Sequence, residues 1–555
     1  MDLTFDMPDS GLTPQEDDLF TDLLPEELLE KYSRFSEITR SNLLTILHDN
    51  ENTEVGVSLG FSSMNSEDKF RKGVALSKYT DYRDFIECMQ MGDEDLLTSY
   101  KLYSFLKTSG TEGDEKIIPL TETALSRYKN YIDTPCAKIL ERCGGKRFMV
   151  SMLRADLSNP QTKLKNILLS GAYYSYQYSH GLLDIDQFAG KEPLTFYHRN
   201  CDFFFAKVWL AFVTEDITTM ESIFMYDILL FFRYMEKHFS EIIECMESGD
   251  IPLSVNLPLN AKNALLSLPV DKKRLQKIKD ECEKGFDDIV SRLWPHIKII
   301  SGIGSDIYSH EEYVLKKYTG DIPLWYFCYV VSECHIGIAM HPGSKEYLLL
   351  PDSAYYEFLP EEHSIEPEKW VKRSSEVEIG QNYELVLTTF NGLYRYMLGD
   401  IVKVTGFYGE APIIRFLYRR NQVLNIAGEK INEKALTSAV NYTLKFYRHD
   451  AIEYFVLTNY NETPAHYEAF FSSEKKIDEI DIAYFTRILD TTLRQESFAY
   501  GDLRSLNMVA PIKVNWLTPE DYDNVRINTD GQSKPIHIVV EPDQDKLQLL
   551  LNNDF

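Results

Sequence analysis

The chain has 555 residues, enough for more than one domain, and 44% of them are hydrophobic, as in an ordinary packed interior. Its formal charge of −28 argues against nonspecific binding to nucleic acid or to an anionic membrane, so an anionic substrate would need local cations or a metal. The eight cysteines are dispersed, with no Cys-x-x-Cys pair, and suit free thiols of a reducing compartment rather than a disulfide framework.

Residues 1–30 carry ten acidic side chains and no Lys or Arg. Residues 1–25 therefore read as an acidic, flexible tail. They lack the basic start and long apolar stretch of a signal peptide. No apolar run approaches the roughly 18 residues of a membrane span. The expectation is a cytoplasmic monomer with no nucleic-acid or membrane partner. From Pro25 the pattern turns helical, with Leu28, Leu29, Tyr32 and Phe35 on one face.

Residues 108–119 read Thr-Ser-Gly-Thr-Glu-Gly-Asp-Glu-Lys-Ile-Ile-Pro. The hydroxyls of Ser109 and Thr111 flank Gly110, Gly113 follows, and Lys116 adds a positive charge. Glycine frees backbone amides to turn around an anion, so the composition suits nucleotide phosphates. It is not a Walker A loop, because no Gly-Lys-Ser/Thr follows Gly113. A solvated hairpin turn is the alternative. Residues 121–142 then read as a helix stopped by Gly144 and Gly145, and residues 147–153 as a strand. Residues 218–246 read as one long amphipathic helix.

Residues 323–340 form an apolar run broken at Ser332 and Glu333. Within it, Tyr329-Val-Val-Ser-Glu333 offers a ring to stack on a purine, a hydroxyl for a phosphate and a carboxylate for Mg²⁺. A buried strand ending in a polar turn is the plainer reading. Residues 383–389, 393–396, 401–404 and 413–418 read as strands separated by glycine turns. Among them, Tyr394-Arg-Tyr-Met-Leu-Gly-Asp400 places an aspartate after Gly399. In an exposed turn, Asp400 could accept both hydroxyls of a ribose; it could equally be an ordinary hairpin aspartate. Past Arg419-Arg420-Asn421, strands at 422–426, 454–457 and 467–471 alternate with helices at 433–446 and 480–494. That α+β pattern sets a boundary near Arg420.

Taken together, these three motifs resemble the adenylate-forming enzyme superfamily, and within it the Gretchen Hagen-type, auxin-responsive acyl acid amido synthetases. That family's first motif, Ser-Ser-Gly-Thr-Ser-x-Gly-x-x-Lys-x-x-Pro, matches residues 108–119 except chiefly at Thr108 and Glu112. Its Tyr-x-x-Ser-Glu stands at residues 329–333, and its Ala-Tyr-Phe-Glu-Phe-Leu-Pro at residues 354–360. Its Tyr-Arg-Tyr-x-x-Gly-Asp stands at residues 394–400. Lys403 to Phe407, Pro412 to Phe416 and Arg419-Arg420-Asn421 match further elements. The family's C-terminal lysine context is absent at Asn507 to Pro511, and Gly-Gln-Ser-Lys534-Pro is the better local match.

The resemblance implies an α/β fold of the adenylate-forming, firefly-luciferase-like kind. A large N-terminal domain with β-barrel-like and sheet subdomains would span 26–420. A small, mobile α+β lid domain would span 421–555. It implies a ligase that uses ATP and Mg²⁺ to join a small carboxylic acid to an amino acid or other amine through an acyl-adenylate. It implies nucleotide contacts from Thr108, Ser109, Gly110, Thr111, Lys116, Tyr329, Val331, Ser332, Glu333, Tyr355, Asp400 and Arg419. Glu333 would hold the metal, and Lys534 would neutralise the phosphate during adenylation. Two other readings stay open: an acyl-CoA-type ligase, and a non-catalytic homologue that binds the acid or the nucleotide.

Overall fold

The computed structural model describes residues 23–107, 116–127, 129–151, 202–363, 367–420, 422–427, 429–447, 453–473, 477–525 and 536–539, with residues 167–168, 173, 176–177, 180 and 188–189 between. The phosphate-loop candidates Thr108, Ser109, Gly110 and Thr111 lie outside them, and so does Lys534. The chain builds an α/β architecture around three main hydrophobic cores.

The first core lies on an eight-stranded antiparallel sheet. Across the sheet the strands run Lys372–Arg373, Ala354–Pro360, Asn382–Thr389, Tyr396–Tyr408, Ala411–Arg419, Glu346–Leu349, His335–Ile338 and Cys328–Val330. The N-terminal helices pack on it, and Phe35 stacks on Tyr356 at 5.9 Å. The strand Leu102–Lys107, paired with Ile117–Thr121, brackets the glycine loop.

The second core surrounds a four-stranded parallel sheet, ordered Lys146–Met149, Ile217–Phe224, Ile299–Ile303 and Leu324–Trp325. Here the long-helix expectation for residues 218–246 is corrected. Ile217–Phe224 is a central strand buried along its whole length, and the helix is Met225–Ser248. Two neighbours cover both edges of that strand and helices its faces, so its residues need no polar side. The β-branched Ile217, Thr218, Thr219 and Ile223 favour the extended chain. The helix ends at Gly249, whose φ of +69° gives the usual left-handed stop.

Of the strand expected at 393–396 only Tyr396 is extended in the sheet; it opens one long strand, Tyr396–Tyr408, that also takes in the strand expected at 401–404. Glu384 pairs with Ile401 and Val386 with Met397, so the intervening residues bulge out of the ladder. Gly399, at φ +84°, sits in that bulge and not in a hairpin. The third core belongs to the C-terminal unit. Its strands Glu453–Asn459, His466–Ser472 and Lys513–Leu517 carry the helices Glu433–Tyr447 and Glu479–Glu496. Among the described residues no helix is long and apolar enough to cross a membrane, and the seven described cysteines are free.

Candidate functional site

The second and third motifs meet at Asp400. Register places Asp400 directly opposite Arg419, and the Arg419 Nε–H donates to Asp400 Oδ1 at 2.7 Å. Tyr329 lies across the sheet, and its hydroxyl donates to Asp400 Oδ2 at 2.6 Å. Asp400 is only 1% exposed, contrary to the exposed turn expected for it. The bulge explains this, because it re-aims the residues beside Gly399 instead of reversing the chain. Burial, and then the neighbouring carboxylate, push the Tyr329 hydroxyl well above its ordinary pKa. Asp400 in turn holds the Arg419 charge up. The Tyr329 ring packs against Tyr347 and Phe416, with centroids at 5.6 and 5.9 Å.

A second acid–arginine pair backs the first. Glu384 Oε1 accepts the Gly399 N–H at 3.2 Å, and its Oε2 meets Arg420 Nε at 2.8 Å. Burial raises the Glu384 pKa and Arg420 opposes the rise. The adjacent arginines at the end of Ala411–Arg419 thus each reach a buried carboxylate.

Glu333 is also buried. Burial raises its pKa, while Arg419 and then Lys116 pull it back down and Asp400 pushes it up. Glu333 therefore lies in the field of Arg419, Lys116 and Asp400. Asn391, missed in the sequence, fixes the loop: its Nδ2 donates to the Glu333 carbonyl at 2.9 Å, and its Oδ1 accepts the Thr121 N–H at 2.9 Å. The Asn391-Gly392 dipeptide, a common turn signal, was the available clue. The Val331 N–H closes the motif turn on the Cys334 carbonyl at 3.0 Å, and Ser332 sits half-buried in it. Lys116 lies 5.8 Å from the Tyr79 ring centroid.

Tyr355 is placed elsewhere. Its hydroxyl donates to Glu67 at 2.7 Å, which also takes Arg373 at 3.1 Å, and beside this pair Arg71 and Arg395 meet at Glu357; both contacts tie the helix Glu67–Gly73 to the sheet. Arg395, inside the third motif, is also 1% exposed. It donates to both Glu357 oxygens and to the carbonyls of Arg71 and Val74. Among the described residues no three His, Cys, Asp or Glu side chains gather as a metal cage, so Glu333 stands as a single oxygen donor.

This arrangement can do three things. Asp400 can add acceptor bonds to a diol, because each oxygen holds one donor and can accept another. Arg419 and Lys116 can offset phosphate charge. Glu333 can offer a carboxylate to a divalent cation.

Three family models match the chain: the GH3 family N-terminal domain over residues 25–324, the GH3 family central domain over 347–419 and the GH3 family C-terminal domain over 434–542. The indole-3-acetic acid-amido synthetase GH3.17 of Arabidopsis thaliana is 26% identical over 485 residues, covering 80% of this chain and 79% of that protein. The indole-3-acetic acid-amido synthetase GH3.8 of Oryza sativa subsp. indica is 27% identical over 453 residues, covering 76% and 73%. Among solved structures, a GH3.15 acyl acid amido synthetase superposes with a TM-score of 0.79 at 21% identity, over 94% of each chain. The fold is therefore that of the acyl acid amido synthetases.

Proposed function

The chain belongs to the GH3 family, and on that premise we propose that it is an ATP-dependent acyl acid amido synthetase, a ligase that forms an amide between a small carboxylic acid and an amino acid or other amine. One observation carries the reading at the level of the site. Tyr329 of the second motif and Arg419 beyond the third both bond to the same buried carboxylate, Asp400, with Glu333 in the same field.

A carboxylate is a poor electrophile and does not condense with an amine at neutral pH. In the proposed reaction its oxygen attacks the α-phosphorus of ATP. The bond from that phosphorus to the bridging oxygen breaks, and pyrophosphate leaves. The amine nitrogen then attacks the acyl carbon, the acyl–oxygen bond to AMP breaks, and the amine proton passes to solvent. The protein's work is positioning and charge neutralisation. Asp400 would hold the ribose hydroxyls, while Ser109, Thr111 and Lys116 would hold phosphate oxygens. Arg419 holds the Asp400 carboxylate in place through its Nε–H bond. Glu333 fits a magnesium ligand, being a buried oxygen donor whose charge is otherwise costly, and Mg²⁺ bound there would neutralise phosphate charge. Lys534 would add charge at the α-phosphate, from a unit spanning 421–555 that acts as a lid on 26–420.

The test is to incubate the protein with ATP, Mg²⁺ and a panel of small carboxylic acids, and to follow pyrophosphate. Acid-dependent release, with product forming on addition of amino acids, supports the reading. Product with coenzyme A and none with amines would make it a thioester-forming ligase. ATP binding without pyrophosphate release would make it a binding protein.

A further inference from the structure

His537 is completely buried at the joint between the C-terminal unit and the rest of the molecule. Its Nε2 lies 2.9 Å from Glu311 Oε1, on the helix Ser309–Thr319 that packs on the parallel sheet's core. Its Nδ1 lies 3.3 Å from Glu433 Oε1, at the start of the helix Glu433–Tyr447. Both carboxylates are buried as well. The ring stacks on Tyr454 at 4.4 Å with planes 6° apart, and the Tyr308 ring lies 5.9 Å away, tilted by 57°. The backbone is fixed too: the Val456 N–H donates to the His537 carbonyl at 2.8 Å, and the Val539 N–H to Val456 at 2.9 Å.

The imidazole faces Glu311 from one side of the joint, Glu433 and Tyr454 from the other, and Tyr308 from the turn Asp306–Tyr308, with the Tyr454 hydroxyl held by Thr437 at 3.1 Å. Burial opposes a charge on the ring, yet the carboxylates of Glu311 and Glu433 outweigh it and hold its pKa up to about 10. With the proton in place, one cation separates two buried anions. Without it, two buried carboxylates confront each other across a neutral ring, an arrangement that folded proteins avoid. The turn that carries Tyr308 continues the connection, since its Asp306 pairs with Arg415 on the strand Ala411–Arg419. The joint is thus next to the nucleotide motifs.

We propose that Glu311, His537 and Glu433 form a proton-carrying clamp that sets the C-terminal unit against the nucleotide motifs, making His537 a positioning residue for the first half-reaction; the assignment to that half-reaction rests on the function proposed above. The clamp spans the joint because Glu311 belongs to one side and His537 with Glu433 to the other. Other polar contacts cross the same joint: Asn441 donates to Ser309 at 2.8 Å, and Glu453 takes both Arg233 at 3.0 Å and the Tyr226 hydroxyl, but none of these places a histidine between two carboxylates.

The experiment uses the full-length protein with histidines labelled with carbon-13 at Cε1, the His537 signal being identified by its loss in His537→Asn. The wild-type ring should report an imidazolium between about pH 6 and 9, and Glu311→Gln should lower its proton affinity by at least about tenfold. A ring that is neutral in that range, or a titration indifferent to Glu311→Gln, overturns the clamp. Hydrogen exchange is the second readout. In both variants residues 309–319 and 536–539 should exchange at least about tenfold faster, while the strands Glu453–Asn459 and His466–Ser472 keep their protection. Unchanged exchange at the joint, or lost protection throughout the C-terminal unit, overturns positioning. In activity, acid-dependent pyrophosphate release should fall by about tenfold or more in both variants, with an earlier alkaline decline in Glu311→Gln, while conversion of supplied acyl-adenylate stays within about twofold. Equal loss in both steps overturns it. Absence of pyrophosphate release with every acid would contradict the proposed function instead, and the resonance and exchange rates would still decide the clamp.

Discussion

Asp400 holds Arg419 and Tyr329 with the same two oxygens that a ribose would use. A carboxylate has room for both, so the side chain serves the fold and the substrate together. Asp400→Asn should therefore weaken ATP binding and also destabilise the protein by about 2–4 kcal/mol, because the Arg419 charge loses its buried partner. Calorimetric titration with ATP and urea denaturation measure the two effects. Wild-type stability with lost ATP affinity would mean that the ion pair is dispensable. Glu333 points the other way. Burial raises its pKa, so its contribution to stability is fully present below the ordinary glutamate range and is lost as pH rises through the raised value. Glu333→Gln should melt no lower than the wild type at neutral pH, with the difference vanishing in acid. Pyrophosphate release should meanwhile fall at low Mg²⁺ and partly recover at high Mg²⁺. A variant that melts lower, or keeps the wild-type Mg²⁺ profile, contradicts the assignment.

At the scale of elements, the third motif does more than line a site. Arg395 has φ +48° and is buried against Glu357, with its remaining donors on the carbonyls of Arg71 and Val74. This one side chain joins the sheet to the helix Glu67–Gly73. Arg395→Met should cost about 3–5 kcal/mol by stranding the Glu357 charge, and Arg395→Lys should recover little, since a point charge cannot replace the planar fork. Chemical denaturation measures this, and near-wild-type stability of the lysine variant would contradict it. The motif was legible in the sequence; its division of labour was not. Asp400 could be singled out by the glycine before it, but a bulge and a hairpin share that residue signature, and only the strand partners separate them. Residues 218–224 were misread as helix because a strand buried on both faces loses the period-of-two alternation. Asn391, Tyr308 and His537 owe their roles to residues tens to hundreds of positions away, which local patterns do not encode.

At the scale of the whole molecule, the second and third motifs sit on the sheet of the first core, the helix Ser309–Thr319 packs on the second, and His537 lies beside the third. In the proposed reaction Lys534 meets the α-phosphate, which is attacked in the first half-reaction and not in the second. Lys534→Ala should slow acyl-adenylate formation by about 10²–10³ and leave conversion of supplied acyl-adenylate nearly normal. Equal rates for wild type and variant in both steps would make Lys534 a surface residue. The central claim, that this GH3 family chain activates an acid as its adenylate before forming an amide, is tested most directly by the fate of a carboxylate oxygen. An accepted acid, labelled with oxygen-18 in its carboxylate, is incubated with ATP, Mg²⁺ and an amino acid, and the products are weighed by mass spectrometry. The account predicts an amide together with AMP carrying one labelled oxygen. Unlabelled AMP, or label recovered in inorganic phosphate beside ADP, would contradict it.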